Sequence, residues 1–397
     1  MASVRQWWRR AAAALKDRRS LLLARLRPRR AGSWHLRELE AAVIRATSHD
    51  DRCMDYRSAA RVFAWARASP AFLRPAMWAL ARRARRTRCW VVALKALMVA
   101  HGLLLRSGLA PPAARAGRVP FELSDFHDRS SSSSSARSQA FTAFVRAYFR
   151  FLDYRSLFAA QEDTDAGDGA AECAADYQMA LLERIAKRQF LLELLLQIRP
   201  YCDGMEVPLV LEAMDCALVD VFQVYGEICT GITRFLVSGV PGPGKPPMRK
   251  AAAAAGVKML WRAARQSAQF SSYFELCRGL GMVNARKLPA AFMRLKDEDV
   301  RNLERILMAD AQDDDASDEA EVESEAAPAD AKDAAPGSAP TVTTVVTTEW
   351  VAFDEEKPST AVVACGGGSK GHAGNHWNPF VAAPLDVREV GNLIELF

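Results

Sequence analysis

The sequence predicts an all-α protein: a superhelical solenoid or bundle of about nine to ten helices across residues 31–309, preceded by a basic amphipathic segment (1–30) and followed by a disordered acidic tail (310–397). Three observations predict it. Apolar residues recur at spacings of three and four along most of the chain, and no segment keeps the alternation of a strand. The periodic segments follow one another with short connections, the pattern of stacked helices. From Asp310 the composition shifts to Asp, Glu, Ala, Pro and Ser, with too few large apolar side chains to offset the entropy of ordering.

The first element places Val4, Trp8, Ala11, Leu15, Leu22 and Leu26 on one helical face, with Arg5, Arg9, Lys16 and Arg19 on the others. Such a helix either lies in a membrane interface or packs its apolar face on the domain, and the pattern fits both. Beyond Pro28 and Gly32, Ser33 is a cap for a second helix. Its buried stripe is Leu36, Leu39, Val43 and Ala46, and Arg37, Ala41 and Arg45 share a different, outward face. Helices follow over residues 55–68, 69–86 and 87–105, the second opening on Ser69 as cap and Pro70 at its first position. Residues 111–116 and 130–135 read as loops. A periodic segment at 141–158 precedes a polar break at 161–169. Two long helices at 171–199 and 207–238 are ended by Pro200 and by the Pro/Gly cluster 239–247. Helices at 248–279 and 289–308 complete the folded part.

Composition excludes several classes. Of 397 residues, 50% are hydrophobic and 25% charged, which rules out wholesale disorder and collagen-like repeats. The eight cysteines are scattered without a C-x-x-C pair, so they read as small buried side chains in a reducing compartment. The most apolar stretch, residues 90–105, contains Lys95 and His101 and falls short of the roughly 20 residues a membrane span needs. Arg5, Arg9, Arg10, Lys16, Arg18 and Arg19 leave no room for a secretory h-region, although an Arg-rich start also fits a mitochondrial presequence on composition alone. Gly239 to Pro246 nearly spells a phosphate-binding loop, but Pro246 replaces the Mg²⁺-holding Ser/Thr, and Pro241 and Pro243 remove further N–H donors. The six histidines lie apart, and His101, in the most apolar helix, reads as a hydrogen-bonded core residue. No catalytic residue, metal site or cofactor is expected, and the chain is not expected to be an enzyme.

Charge is unevenly distributed. Residues 1–160 carry 31 Lys+Arg against 10 Asp+Glu, residues 161–309 carry 18 against 19, and residues 310–397 carry 4 against 18. The basic portion should seek polyanions. Within it, Arg45, His49, Arg52, Arg57 and Arg61 gather where one helix ends and the next begins. A helix N-terminus near Met54 would add free N–H groups, so the corner suits a multiply phosphorylated headgroup. The alternative is a solvated arginine surface. The run Arg82, Arg83, Arg85, Arg86 and Arg88 sits at a helix end, where cations also complement the helix dipole.

Five blocks carry a resemblance. Ala41-Ala-Val-Ile-Arg-Ala-Thr-Ser-His-Asp50, Asp55-Tyr56, Arg88-Cys-Trp-Val-Val-Ala-Leu-Lys95 with His101-Gly102, Phe121-Glu-Leu-Ser-Asp-Phe126 and Phe144-Val-Arg-Ala-Tyr-Phe-Arg-Phe-Leu-Asp153 occur in the order found in the ANTH domain of clathrin assembly proteins. The chain resembles the plant members in particular, more loosely as far as residue 309. The resemblance implies a superhelical domain that binds phosphatidylinositol 4,5-bisphosphate, with Arg45 at the basic position of the family's K-A-T motif. Only Asp-Asp-Arg-Cys-Met stands where the family has a lysine-rich loop, leaving Arg52 as its cation and Cys53 at the histidine position. The arginine-rich first 30 residues would supply the missing attraction.

The tail adds two motifs. Asn378-Pro379-Phe380 matches the tripeptide bound by EH-domain proteins, in which a turn projects the Phe into an apolar pocket; its alternative is a turn tucked onto the domain. Leu393-Ile394-Glu-Leu396-Phe397 resembles a clathrin-box peptide, or is a short helix docking on the folded part. The expected function is an endocytic adaptor on the cytoplasmic face of clathrin-coated pits and vesicles, with the Golgi as a further compartment. Its partners are phosphoinositide-containing membrane, clathrin heavy chain, EH-domain proteins and, by resemblance, vesicle SNAREs. The second class of function, nucleic-acid binding through the basic portion, lacks a recognised DNA or RNA module.

Overall fold

A computed structural model describes residues 2–26, 34–107, 117–130, 135–165, 174–239, 248–286 and 294–309. Ser33, most of the cluster 239–247, and the whole tail from residue 310 lie outside the described residues, as do the two tail motifs. Among the described residues there are ten α-helices and no strand: α1 (Ala2–Leu26), α2 (Trp34–Ala46), α3 (Tyr56–Ala68), α4 (Leu73–Arg86), α5 (Trp90–Ser107), α6 (Ser135–Asp165), α7 (Ala174–Leu196), α8 (Pro208–Gly239), α9 (Lys250–Gly279) and α10 (Asp297–Ala309). None of them is long and apolar enough to cross a membrane.

Packing runs mainly between chain neighbours. α1 lies on α2, α2 on α3 and α4, α4 on α5, α5 on α6, α6 on α7, α7 on α8 and α9, and α9 on α10. One contiguous apolar core extends from Leu39 to Leu307. α5 is its axis: it meets α3, α4, α6 and α8, and Val92, Leu94, Leu97, Met98 and Val99 have no exposed surface. That is why this helix is the most apolar in the sequence. Its two polar exceptions are paired. His101 bonds the Tyr148 hydroxyl through Nδ1 at 2.8 Å and Asp220 through Nε2 at 2.5 Å, with Arg155 also on Asp220, so it is the core residue the sequence suggests. Burial alone would raise the Asp220 carboxyl, but the adjacent Arg155 and His101 outweigh it and bring it down to about 2.

Several boundaries differ from the sequence reading, each for a tertiary reason. α5 starts at Trp90 rather than 87, because Asp128, far along the chain, accepts the Trp90 N–H at 3.1 Å and the indole stacks on Phe141 with centroids 3.9 Å apart. Ser69 and Pro70 open a 3₁₀ turn (Pro70–Phe72), and α4 follows it. α6 runs from Ser135 to Asp165, beyond both ends of the periodic segment. Ala159, Ala160, Gln161 and Glu162 are good helix formers, and Glu162 is held by Arg188 of α7 at 2.7 Å, so the polar break begins later than 161. α10 opens only at Asp297, where Asp299 accepts the Lys296 N–H at 3.2 Å and three carboxylates favour a first turn. In α2, Leu39, Val43 and Ala46 are buried as the periodicity requires, but Leu36 is exposed.

Candidate functional site

The basic portion of the fold is organised by α1. At 100° per residue, Ala13, Asp17, Ser20 and Ala24 share the side that meets α2, whereas Trp8, Leu15, Leu22 and Leu26 lie opposite. The side chains agree. Ala24 is buried and the other three on its side are half-buried, while Trp8, Leu15, Leu22 and Leu26 are 64%, 65%, 57% and 77% exposed. The two readings of this helix therefore separate: it packs on the domain, but not through its apolar stripe.

A polar clamp holds it there. Asp17, the only acidic residue in the first 30, accepts the His49 backbone N–H at 2.9 Å, pairs with the His49 ring Nδ1 at 2.7 Å and receives Arg83 Nη2 at 2.6 Å. Burial works against the charge on Asp17, yet the hydrogen bonds from His49 and Arg83 prevail and hold its carboxyl below the usual carboxylate range. Arg83 also donates to the Thr47 carbonyl at 3.0 Å, the Thr47 hydroxyl at 3.3 Å and Ser20 Oγ at 3.2 Å, stitching α4 to α1 and to the end of α2. His49 is thus turned inward, its side chain 13% exposed.

The remaining corner residues are differently placed. Arg45 is half-buried at the end of α2, Arg52 is exposed in the connection, and Arg57 is exposed in the first turn of α3; none forms an ion pair among the described residues. The expected free N–H groups at the start of α3 are largely used. Asp55 caps the helix, accepting Ser58 N–H at 3.1 Å and Ser58 Oγ–H at 2.7 Å, and the Tyr56 N–H turns back to the Met54 carbonyl at 3.0 Å. What the corner exposes is consequently guanidinium groups, not a free helix end. Beneath it, Lys95 is fully buried and donates to the Asp50 carbonyl at 2.6 Å and to Ser48 Oγ at 3.3 Å. Burial lowers the Lys95 pKa, opposed by nearby acidic groups led by Asp50. Asp50 itself accepts the Arg52 N–H at 3.2 Å, closing the short turn.

Sequence reasoning missed Lys95 and the Asp17–Arg83 pair as the residues that shape this corner. A signal existed for each: a lysine inside the most apolar helix must find oxygens, and a lone carboxylate among ten Lys and Arg in residues 1–30 invites pairing. Asn378, Pro379, Phe380, Leu393, Ile394 and Leu396 lie outside the described residues. Among the described residues no group of His, Cys, Asp and Glu could hold a metal ion.

A family model for the ANTH domain matches residues 38–304. Two Arabidopsis thaliana proteins named for clathrin assembly are 41% and 40% identical over 300 and 303 residues, in each case 76% of this chain and 76% of the relative. A third, similarly named, is 34% identical over 302 residues, covering 76% of this chain and 81% of its own length.

Proposed function

The chain belongs to the ANTH-domain family, whose clathrin assembly members are non-enzymatic adaptors, and on that premise we propose that it docks on phosphoinositide-bearing membrane and recruits coat components. The observation that carries this reading is the stripe Trp8, Leu15, Leu22 and Leu26, which faces away from the domain beside the exposed cations Arg18, Arg19 and Arg25. An exposed apolar row flanked by arginines fits a headgroup–acyl boundary.

Magnitudes rank the contributions. Arg45, Arg52 and Arg57 supply roughly 1 kcal/mol each near an anionic leaflet, whereas each large apolar side chain buried in lipid supplies about 1.5–3 kcal/mol. The stripe therefore sets affinity and the corner sets preference for phosphorylated headgroups. In this reading His49 supports the corner by fixing α1 through Asp17. The tail binds clathrin heavy chain through Leu393, Ile394 and Leu396 and an EH-domain protein through Asn378, Pro379 and Phe380. Several weak motifs suffice, because coat assembly makes them multivalent. Capture of vesicle SNAREs on the helical domain belongs to the same proposal.

Sedimentation with vesicles at physiological salt tests the membrane part. Leu15→Glu with Leu22→Glu is expected to abolish binding to vesicles containing phosphatidylinositol 4,5-bisphosphate, and Arg45→Glu to remove their advantage over plain anionic vesicles. Wild-type protein that ignores every vesicle, or prefers duplex DNA to all of them, overturns the reading. For the tail, Phe380→Ala is expected to end EH-domain pull-down and deletion of residues 393–397 to weaken clathrin capture.

A further inference from the structure

Of the 19 prolines, Pro70 alone follows a serine or threonine. The dipeptide Ser69-Pro70 occupies the junction between α3, which ends at Ala68, and the 3₁₀ turn that leads into α4. Helices flank it closely on both sides, yet Ser69 itself is extended, with φ −156° and ψ 130°. Proline is the cause: its ring crowds the preceding residue and pushes it out of the helical region.

The hydroxyl at this junction is left in an uncommon state. Thr47, Thr142, Thr230, Thr233 and Ser272 return their hydroxyl protons to the carbonyl four residues earlier. Ser69 donates to no group among the described residues; its Oγ only accepts the Ala71 N–H, at 3.3 Å. Ser69 and Pro70 are half-exposed, and Arg67, Ala68 and Ala71 around them are exposed. The Ser69 N–H bonds the Trp65 carbonyl and the Phe72 N–H bonds the Ser69 carbonyl, each at 3.1 Å. Both bonds close helix ends, the parts of a fold that open at least cost.

We infer that Ser69 is a phosphorylation site for a proline-directed protein kinase. Such a kinase needs an accessible hydroxyl on an extended segment, followed by a residue that brings no N–H to be satisfied, and proline has none. In the transfer, the bond between the γ-phosphorus of ATP and its β,γ-bridging oxygen breaks and Ser69 Oγ bonds to that phosphorus. The hydroxyl proton passes to the kinase's general base, and ADP departs. The fold accommodates the product, because the Ala71 N–H already points at Oγ, and Arg67 and Arg74 are exposed and form no ion pair among the described residues. The phosphate adds a charge of about −1.5 to −2 to residues 1–160, which carry 31 Lys+Arg against 10 Asp+Glu. It therefore weakens the attraction of this portion for an anionic surface, a consequence that rests on the membrane reading above, whereas the site itself does not.

Incubation of the folded full chain with ATP and a mitogen-activated protein kinase or a cyclin-dependent kinase, read by mass spectrometry, tests the site. Wild type is expected to gain a single phosphate, on Ser69. Ser69→Thr is expected to keep the labelling, Ser69→Ala to abolish it and Pro70→Ala to slow it by about tenfold or more. Circular dichroism and melting show whether the Pro70 variant folds; the two Ser69 variants decide the matter if it does not. No labelling of the folded chain by either kinase, labelling that survives Ser69→Ala, or labelling only after heat unfolding overturns the proposal. Phosphorylated protein is expected to bind phosphatidylserine vesicles about threefold or more weakly than unmodified protein, with the gap closing at high salt. Equal binding by the two forms overturns the charge effect. Wild-type protein that ignores every vesicle sinks the membrane reading instead, and the labelling results still judge Ser69.

Discussion

α1 and α8 are attached to the same domain by different means. α8 buries eighteen residues, from Leu209 to Leu236, and its Asp220 is paired through Oδ2 with His101 and Arg155. α1 buries Ala24 among its described side chains and relies on Asp17, Ser20 and their partners across two other helices. Apolar burial scales with area and is hard to undo piecemeal, whereas a clamp made of a few polar contacts has a local opening energy far below that of global unfolding. The α5–α8 region is scaffold, whereas α1, whose apolar residues face outward, is held by a few polar contacts and is the element proposed to meet a surface.

The contrast can be broken first at the scaffold. Asp220→Ala leaves the buried His101 and the half-buried Arg155 without their carboxylate and should cost about 3 kcal/mol, lowering the melting temperature by on the order of 10 °C. A wild-type melt would show that the network is not structural. Next comes Gly256→Ala in α9. The added Cβ would fall 2.3 Å from Cζ of Phe235, which has no exposed surface, so overpacking should cost about 1–3 kcal/mol in a chemical denaturation series. Binding of vesicles by the surviving folded protein should be unaltered.

At the clamp the outcome is of another kind. Asp17→Asn should leave the melting of the core nearly unchanged while speeding hydrogen exchange in α1 by roughly tenfold, the loss of one charged hydrogen-bond centre. Acid should do the same to the wild type. Asp17 has a carboxyl held below its ordinary value, so its contribution is fully present above the unfolded-state range and is lost as the pH falls through the lowered value. The Asp220 carboxyl, brought down to about 2 and shielded from water, gives way last. A titration followed by exchange should therefore show α1 released before the scaffold loses its tertiary signal; simultaneous loss would erase the distinction. The smallest effect is expected from Arg52→Gln, an exposed cation worth no more than about 1 kcal/mol, seen as a weakening of vesicle binding of less than about fivefold.

Much of the fold was legible in the sequence because its elements are locally encoded. Stripes such as Leu39, Val43 and Ala46, terminators such as Pro200 and the apolar run of α5 announce helices without reference to the rest of the chain. What local pattern could not supply was the state of each cation. Arg45, His49 and Arg83 look alike as positive residues in an arginine-rich sequence, yet Arg45 is unpaired among the described residues while His49 and Arg83 are committed to Asp17, 32 and 66 positions away. The same holds for the start of α5, set by Asp128, and for the end of α6, set by Arg188. Ion pairs and caps made across the fold leave no period in the sequence. They decide which arginines face a ligand and which hold the protein together.

In the proposed function α1 uses its outward stripe to meet a bilayer while the scaffold behind it stays folded. Hydrogen exchange of the full chain with and without vesicles containing phosphatidylinositol 4,5-bisphosphate measures this directly. The expected result is strong added protection confined to α1 and the α2–α3 corner, with α5 and α8 unchanged. Vesicle binding that leaves exchange in α1 as it was in solution would contradict the account.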